Sequence, residues 1–294
     1  MTSNAYSETF RHAVLEGSIK FDLEGIGALT VISALLRDNP PVKESSVQRP
    51  PGPMKEETMA QTLAIIHTSP TLTPLFSALC ADEMPETTIF HMVDESLIKD
   101  TIRAGKLRKV TMRRLIAMIE SAGMSGADAV LITCSSIGPA STIAQALFDF
   151  PIIRVDEAMA EAAVRSGKKI GVMATLQTTL EPTIALLRQK AAEAGLEVEI
   201  VESLCDGAFD AVLAGDTATH DHILSEALMK DMRGVDVVVL AQASMARVVK
   251  EMPAGSLAAP VLSSPELAVQ RVHQILSALD TNALNASREL VATA

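Results

Sequence analysis

The chain has 294 residues, is 48% hydrophobic but only 3% aromatic, and carries a formal net charge of −11. That length suits one large domain or two of ordinary size, with a core built from Ala, Val, Leu, Ile and Met. The acidic balance excludes nucleic acid and anionic membranes as expected partners, although local N–H donors can still hold a small anionic metabolite. No apolar run reaches the roughly 18–20 residues of a membrane span, Ile26–Leu36 being the nearest. No basic segment followed by an apolar core marks a signal peptide. The three cysteines, Cys80, Cys134 and Cys205, are odd in number and lack metal-like spacing. They fit a reducing cytoplasm better than a disulfide scaffold.

In chain order, the first expected element is a helix over Leu23–Leu36. Asn39–Glu57 follows with five prolines and reads as an extended linker. Residues 1–58 therefore form an N-terminal extension, read either as an arm packing on a neighbouring subunit or as a tail. Beyond it, strand-like runs at Thr62–Ile66, Ala129–Thr133, Lys169–Met173, Val198–Val201 and Val235–Leu240 alternate with helical patterns. Those patterns include Leu107–Ala122, Ser141–Phe148 and Thr179–Ala194. The runs are short, β-branched and not alternating, as strands buried on both faces should be. The alternation predicts an α/β fold with parallel sheets covered by helices.

The chain also repeats itself. Asp128–Ser136 and Asp236–Ser244 share one pattern, an aspartate, an apolar run and a closing serine, with Cys134 in the first standing where Gln242 stands in the second, an offset of 108. Leu63–Thr71 lines up with Ile170–Thr178, Thr68 falling on Thr175 and Thr71 on Thr178, an offset of 107. Two landmarks with nearly one offset predict two pseudo-symmetric lobes. Lobe A is expected to comprise residues 59–154 and 261–294, and lobe B residues 155–260. Ligands in such folds sit at the carboxyl ends of strands, where all four landmarks fall. Two lobes facing a cleft would place Cys134 and Gln242 on opposite sides of one ligand.

Cys134 precedes Ser135, Ser136, Gly138 and Pro139 and then a helical run. Free N–H groups at a helix start favour an anion, so the thiol pKa is expected to be lowered. Cys80 and Cys205 read instead as small buried hydrophobes. The hydroxyls of Thr68, Ser69, Thr175 and Thr178, on strand-to-helix turns, are open to two roles, carboxylate binding or helix capping. Ser135, Ser136 and Ser244 join them as candidate substrate contacts. His67 precedes Thr68 and is a further candidate, with a structural role as the alternative. His220 and His222 lack a third ligand nearby and read as a solvated helix start, so no metal is expected. No P-loop and no G-x-G-x-x-G after a strand occurs, so no nucleotide cofactor is expected.

These residues carry a resemblance. Asp128–Pro139, Gly171–Thr178, Leu240–Met245 and Pro260–Glu266 resemble the aspartate/glutamate/hydantoin racemase superfamily, over roughly residues 59–280. The resemblance implies two Rossmann-like lobes with an active-site cleft between them, and cofactor-independent chemistry beside a carboxylate or carbonyl. In the racemases two cysteines flank the substrate, one removing the α-proton and the other returning a proton to the opposite face. Cys134 matches the first. The second stands in a Leu-Gly-Cys-Ala/Thr motif that aligns with Leu240-Ala-Gln242-Ala, so Gln242 occupies its place. Glutamine cannot serve as a general acid or base near neutral pH. The resemblance therefore implies a single-cysteine variant, in which Gln242 would donate to a substrate carboxylate or developing enolate. Single-cysteine relatives such as arylmalonate decarboxylases protonate one face only, and maleate isomerases are thought to use the matching cysteine as a nucleophile. With few aromatics, the expected substrate is a small aliphatic carboxylic or amino acid, and the expected assembly is a homo-oligomer. A non-catalytic small-acid binder is the alternative of a different class.

Overall fold

The computed structural model describes residues 60–252 and 257–292. The expected helix at Leu23–Leu36, the linker Asn39–Glu57 and the extension as a whole lie outside the described residues. The first half runs β1 (Thr62–His67), α1 (Thr73–Glu83), β2 (Thr88–Val93), α2 (Glu95–Ala104), α3 (Lys109–Met124), β3 (Ala129–Ile132), α4 (Pro139–Gln145) and β4 (Ile152–Arg154). The second runs α5 (Glu157–Ser166), β5 (Lys169–Ala174), α6 (Gln177–Glu193), β6 (Glu199–Leu204), α7 (Ala208–Leu213), α8 (Thr217–Asp231), β7 (Val237–Leu240) and α9 (Ala246–Glu251). Strand β8 (Val261–Ser263) and the long α10 (Ser264–Ala292) complete it.

The strands form two four-stranded sheets, ordered β2-β1-β3-β4 and β6-β5-β7-β8. Every pairing is parallel. A parallel pair needs a crossover, and the crossover helices cover both faces of each sheet. That is why the strand runs are apolar throughout. Leu63 and Ile65 face Phe76 and Cys80 of α1 and Ala268 and Val272 of α10. Ala64 and Ile66, one residue out of phase, face Leu97, Leu115 and Ile119 of α2 and α3. In the second sheet Val237 and Val239 pack with α5 and α6, while Val238 and Leu240 pack with Leu224 and Leu228 of α8. Each such leucine or isoleucine contributes about 2 kcal/mol by leaving water.

The repeat is carried into the hydrogen-bond register. Leu63 stands opposite Ala129 in lobe A, and Ile170 stands opposite Val237 in lobe B, reproducing the offsets of 107 and 108. The aspartate shared by the two runs has a structural reason. Asp128 Oδ2 accepts the Thr62 N–H at 2.8 Å, and Asp236 Oδ2 accepts those of Lys168 and Lys169 at 2.8 Å each. Both carboxylates clamp the start of the neighbouring central strand, at the end of the sheet opposite to Cys134 and Gln242.

Residues 261–263, expected in lobe A, instead pair with β7 as the last strand of the second sheet. A three-residue strand leaves too little pattern to announce its sheet. The chain returns to lobe A after Ser263, where α10 lays Ala268, Val269, Val272 and Leu276 into the first core. Strands β2, β4 and β8 were not among the expected runs. Among the described residues, no helix is long and apolar enough to cross a membrane.

Candidate active site

Cys134 lies just past the carboxyl end of β3. The chain then tightens into two successive turns, Ile137 N–H to Cys134 carbonyl at 3.3 Å and Gly138 N–H to Ser135 carbonyl at 3.1 Å. Pro139, which has no N–H to satisfy, opens α4. These turns aim donors at the sulfur. The side chains of Thr68 and Ser136 and the backbone N–H groups of Ser136 and Ile137 lie around the sulfur and act to lower its pKa. Each favours the thiolate, as the spacing predicts. Burial outweighs them, however, and pushes the Cys134 thiol pKa up rather than down. The sequence shows the donors but not the desolvation. A thiol raised above its ordinary value keeps its proton at neutral pH. Cys80 and Cys205 are buried, each pushed by burial to about 11. Cys134 is the partly exposed thiol of the three.

Gln242 follows β7 and leads into a short 3₁₀ turn, Ala243–Met245. Its Oε1 accepts the Thr175 N–H at 2.6 Å and the Thr175 hydroxyl at 2.9 Å. Two donors on one atom fix which end of the amide is oxygen. Among the described residues the NH₂ has no acceptor and is the uncommitted end.

Two contacts bring the lobes together here. Ser135 Oγ donates to the Ala241 carbonyl at 3.4 Å, and the hydroxyls of Ser136 and Thr179 meet at 2.8 Å. Cys134 and Gln242 each stand one residue from the first of these contacts. Thr178, at the second position of α6, has a buried hydroxyl with no hydrogen-bond partner among the described residues. An unsatisfied buried hydroxyl costs about 1–3 kcal/mol, which a ligand oxygen would recover.

The remaining candidates are placed as follows. Ser69 caps the 3₁₀ turn Pro70–Leu72, its Oγ accepting the Thr71 N–H at 3.4 Å. Ser244 is exposed on the turn after Gln242. His67 is fully buried, with Nδ1 on Thr133 Oγ1 and Nε2 on His91 Nδ1, both at 2.9 Å, so neither ring nitrogen is free for a ligand. Burial, with the neighbouring His91, lowers its pKa to about 4. His220 does lie at a helix start but is 1% exposed rather than solvated, its Nδ1 2.8 Å from Asp221 Oδ1. It is the first member of the buried stripe His220, Leu224 and Leu228 on α8.

Sequence reasoning missed Thr179, which makes the cross-lobe contact, and the ion pair beneath the Cys134 turns. Arg154 and Asp156 are joined twice, Nε to Oδ1 at 3.0 Å and Nη2 to Oδ2 at 2.9 Å, and both are buried. The guanidinium packs so closely on Gly138 that an added Cβ would lie 2.7 Å from Nε. A charged pair two residues apart at a strand end was the available signal. A separate surface concavity of about 560 Å³, lined by Glu83, Gln270, His273, Gln274 and Ser277, contains none of these residues.

Similar folds occur among solved structures. Glutamate racemase from Francisella tularensis, solved with D-glutamate, is 16% identical, with a TM-score of 0.59 over 74% of this chain and 80% of that one. Glutamate racemase RacE1 from Bacillus anthracis is 17% identical, with a TM-score of 0.56 over 74% and 82%. Allantoin racemase from Klebsiella pneumoniae is 20% identical, with a TM-score of 0.52 over 74% and 88%. No curated protein matches by sequence. The model of the Asp/Glu/hydantoin racemase family matches residues 63–272, which include both sheets and every candidate residue named above. By that match, and with the two-lobed parallel fold to support it, the chain belongs to the Asp/Glu/hydantoin racemase family.

Proposed function

We propose that this racemase-family enzyme works with one thiol, Cys134 exchanging a proton with one face of a carbon beside the carboxylate of a small acid. The carrying observation is the contrast across the cleft. Cys134 is held protonated among donors, while Gln242 is anchored through its oxygen to Thr175 and presents only N–H. In this reading an enediolate forms on the substrate in one of two ways: its α-proton passes to the minor thiolate fraction of Cys134, or carbon dioxide leaves from a second carboxylate. The Cys134 S–H proton passes to carbon, the thiolate stays behind among its donors, and solvent reprotonates it. Gln242 Nε2 and the Thr178 hydroxyl donate to carboxylate or enediolate oxygens, where charge develops. No step calls for a cofactor. A small amino or carboxylic acid is the substrate class, in keeping with the D-glutamate held by the similarly folded glutamate racemase.

Three free thiols support action in the reducing cytoplasm. Exposed apolar side chains such as Met124, Leu147 and Leu213 support a homo-oligomer, which light scattering would test. The functional test is incubation with small mono- and dicarboxylates and amino acids in deuterium oxide, following exchange, isomerisation and carbon dioxide release. Turnover lost in Cys134→Ala supports the reading. Turnover unchanged in that variant, or none with any acid in the panel, removes it and leaves a binding protein. The partial exposure of Cys134 favours a second reading, covalent attack on an unsaturated acid. A substrate-sized mass increase on Cys134 in the trapped protein would establish that instead.

A further inference from the structure

A hydrogen-bonded chain crosses lobe A at right angles to its strands. It starts at the exposed Ser77 on α1, whose Oγ lies 2.8 Å from His91 Nε2 on β2. His91 Nδ1 is 2.9 Å from His67 Nε2 on β1, and His67 Nδ1 is 2.9 Å from Thr133 Oγ1. Thr133 Oγ1 lies 3.1 Å from the Ile66 carbonyl.

The last link sets the direction of all the others. A carbonyl only accepts, so the Thr133 hydroxyl spends its one proton there and must accept from His67 Nδ1–H. A neutral His67 then has a bare Nε2, which accepts from His91 Nδ1–H. His91 Nε2 is bare in turn and accepts from Ser77. Both rings are therefore Nδ1–H tautomers. Because the chain ends on a carbonyl, which has no proton to pass on, it is a brace and not a proton path.

What it braces is specific. His67 and Thr133 immediately precede Thr68 and Cys134, and the Thr68 side chain is among the groups beside the Cys134 sulfur that favour its thiolate. Lobe B lacks the device, since Ala174 and Ala241 stand at the equivalent positions and only the backbone bond from Ala241 N–H to the Met173 carbonyl remains. The lobe with the thiol has the brace, and the lobe with the carboxamide does without.

We propose that His67 and His91 are positioning residues that hold Thr68 and Cys134 in register, so that the hydroxyl and N–H donors stay aimed at the sulfur. The proposal rests on Cys134 being the working thiol. His67, with its pKa lowered to about 4, stays neutral above that pH, as the chain requires.

Two measurements test it, and neither needs a substrate. Nitrogen-15 NMR of the whole protein at neutral pH should show both rings as Nδ1–H tautomers; an Nε2–H form at either ring overturns the chain. The second is the pH profile of Cys134 alkylation by iodoacetamide. Asparagine places its N–H near the Nδ1 position, so His91→Asn should alkylate within about threefold of the parent, while His91→Leu slows at pH 8 by about tenfold as the donors lose aim. Cys80 and Cys205 should stay unlabelled in both, which separates lost aim from lost fold. If His91→Leu exposes them, Thr133→Val removes the same link with little change of shape and should show the same slowing. A His91→Leu or Thr133→Val profile superimposable on the parent overturns the proposal. Absence of turnover with every acid would instead sink the functional reading and leave these measurements interpretable.

Discussion

The two lobes use one backbone plan for two chemistries. In each, the threonine after the first strand reaches across to the residue after the third: Thr68 to Cys134, and Thr175 to Gln242. In lobe A the threonine donates to a sulfur that can gain or lose a proton. In lobe B it ties down an amide oxygen that cannot. The difference lies at the ends of strands whose register is the same to the residue. It teaches that a duplicated strand end can exchange a thiol for a carboxamide while the threonine beside it stays.

The comparison can be broken most sharply at the thiol. Cys134→Ala should lower kcat by at least about a hundredfold, whereas Gln242→Ala, which leaves the acid in place, should cost about tenfold. Equal losses would mean that the Gln242 carboxamide contributes as much to turnover as the Cys134 thiol. Gln242→Cys asks the reverse question: whether the frame of lobe B still accepts a thiol. The expected gain is deuterium incorporation from both faces of the substrate.

A second contrast lies under the turns. Gly138 packs on the Arg154 guanidinium, while the position equivalent by the repeat is Ala246. Gly138→Ala should destabilise the fold by about 3 kcal/mol, because a Cβ there displaces a buried, doubly hydrogen-bonded ion pair. Ala246→Gly should cost well under half of that, about 1 kcal/mol, as glycine near a helix start usually does. Urea denaturation of the two variants gives the ratio.

Next is pH. His67 is lowered to about 4 from a usual value of 6.5, so the unfolded chain binds its proton first. Stability should be flat above pH 6.5 and fall as the pH drops from there to 4, by up to about 1.4 kcal/mol per unit, with no further loss from this group below. His91, lowered in the same direction, adds to the slope. Thermal melts of the parent and of His67→Asn should diverge across that window. The smallest contrast is between the clamps. Asp236 accepts two strand N–H groups and Asp128 one, so Asp236→Ala should lower the melting temperature more than Asp128→Ala.

Much of this was legible in the residues, for physical reasons. Central strands such as Thr62–His67 and Val237–Leu240 are buried on both faces, so they appear as unbroken apolar runs. Edge strand β2 is not, and Thr88–Val93 with its half-exposed positions carries no such run. The residues at the strand ends were legible because the repeat marked them. Their energetics were not. The raised Cys134 pKa depends on what surrounds the sulfur, and the burial of His67 and His220 depends on neighbours from distant helices. His91 and Ser77 gave no local signal, because their meaning comes only from lying beside His67 across two elements.

The path of α10 has a consequence for how the molecule is made. The second sheet is drawn from one continuous stretch, β5 to β8, whereas the first core waits for Ala268, Val269, Val272 and Leu276 to cover Leu63, Ile65 and Leu131. During synthesis from the N-terminus, lobe A leaves the ribosome first and is finished last. Its apolar sheet face is covered only in part, by α1, until Ala268–Leu276 has been made, so the interval before α10 docks is when that face is most exposed to wrong partners. A chain stopped at Ser263 would retain the eight described strands and still lack the α10 share of the cover on one face of the first sheet.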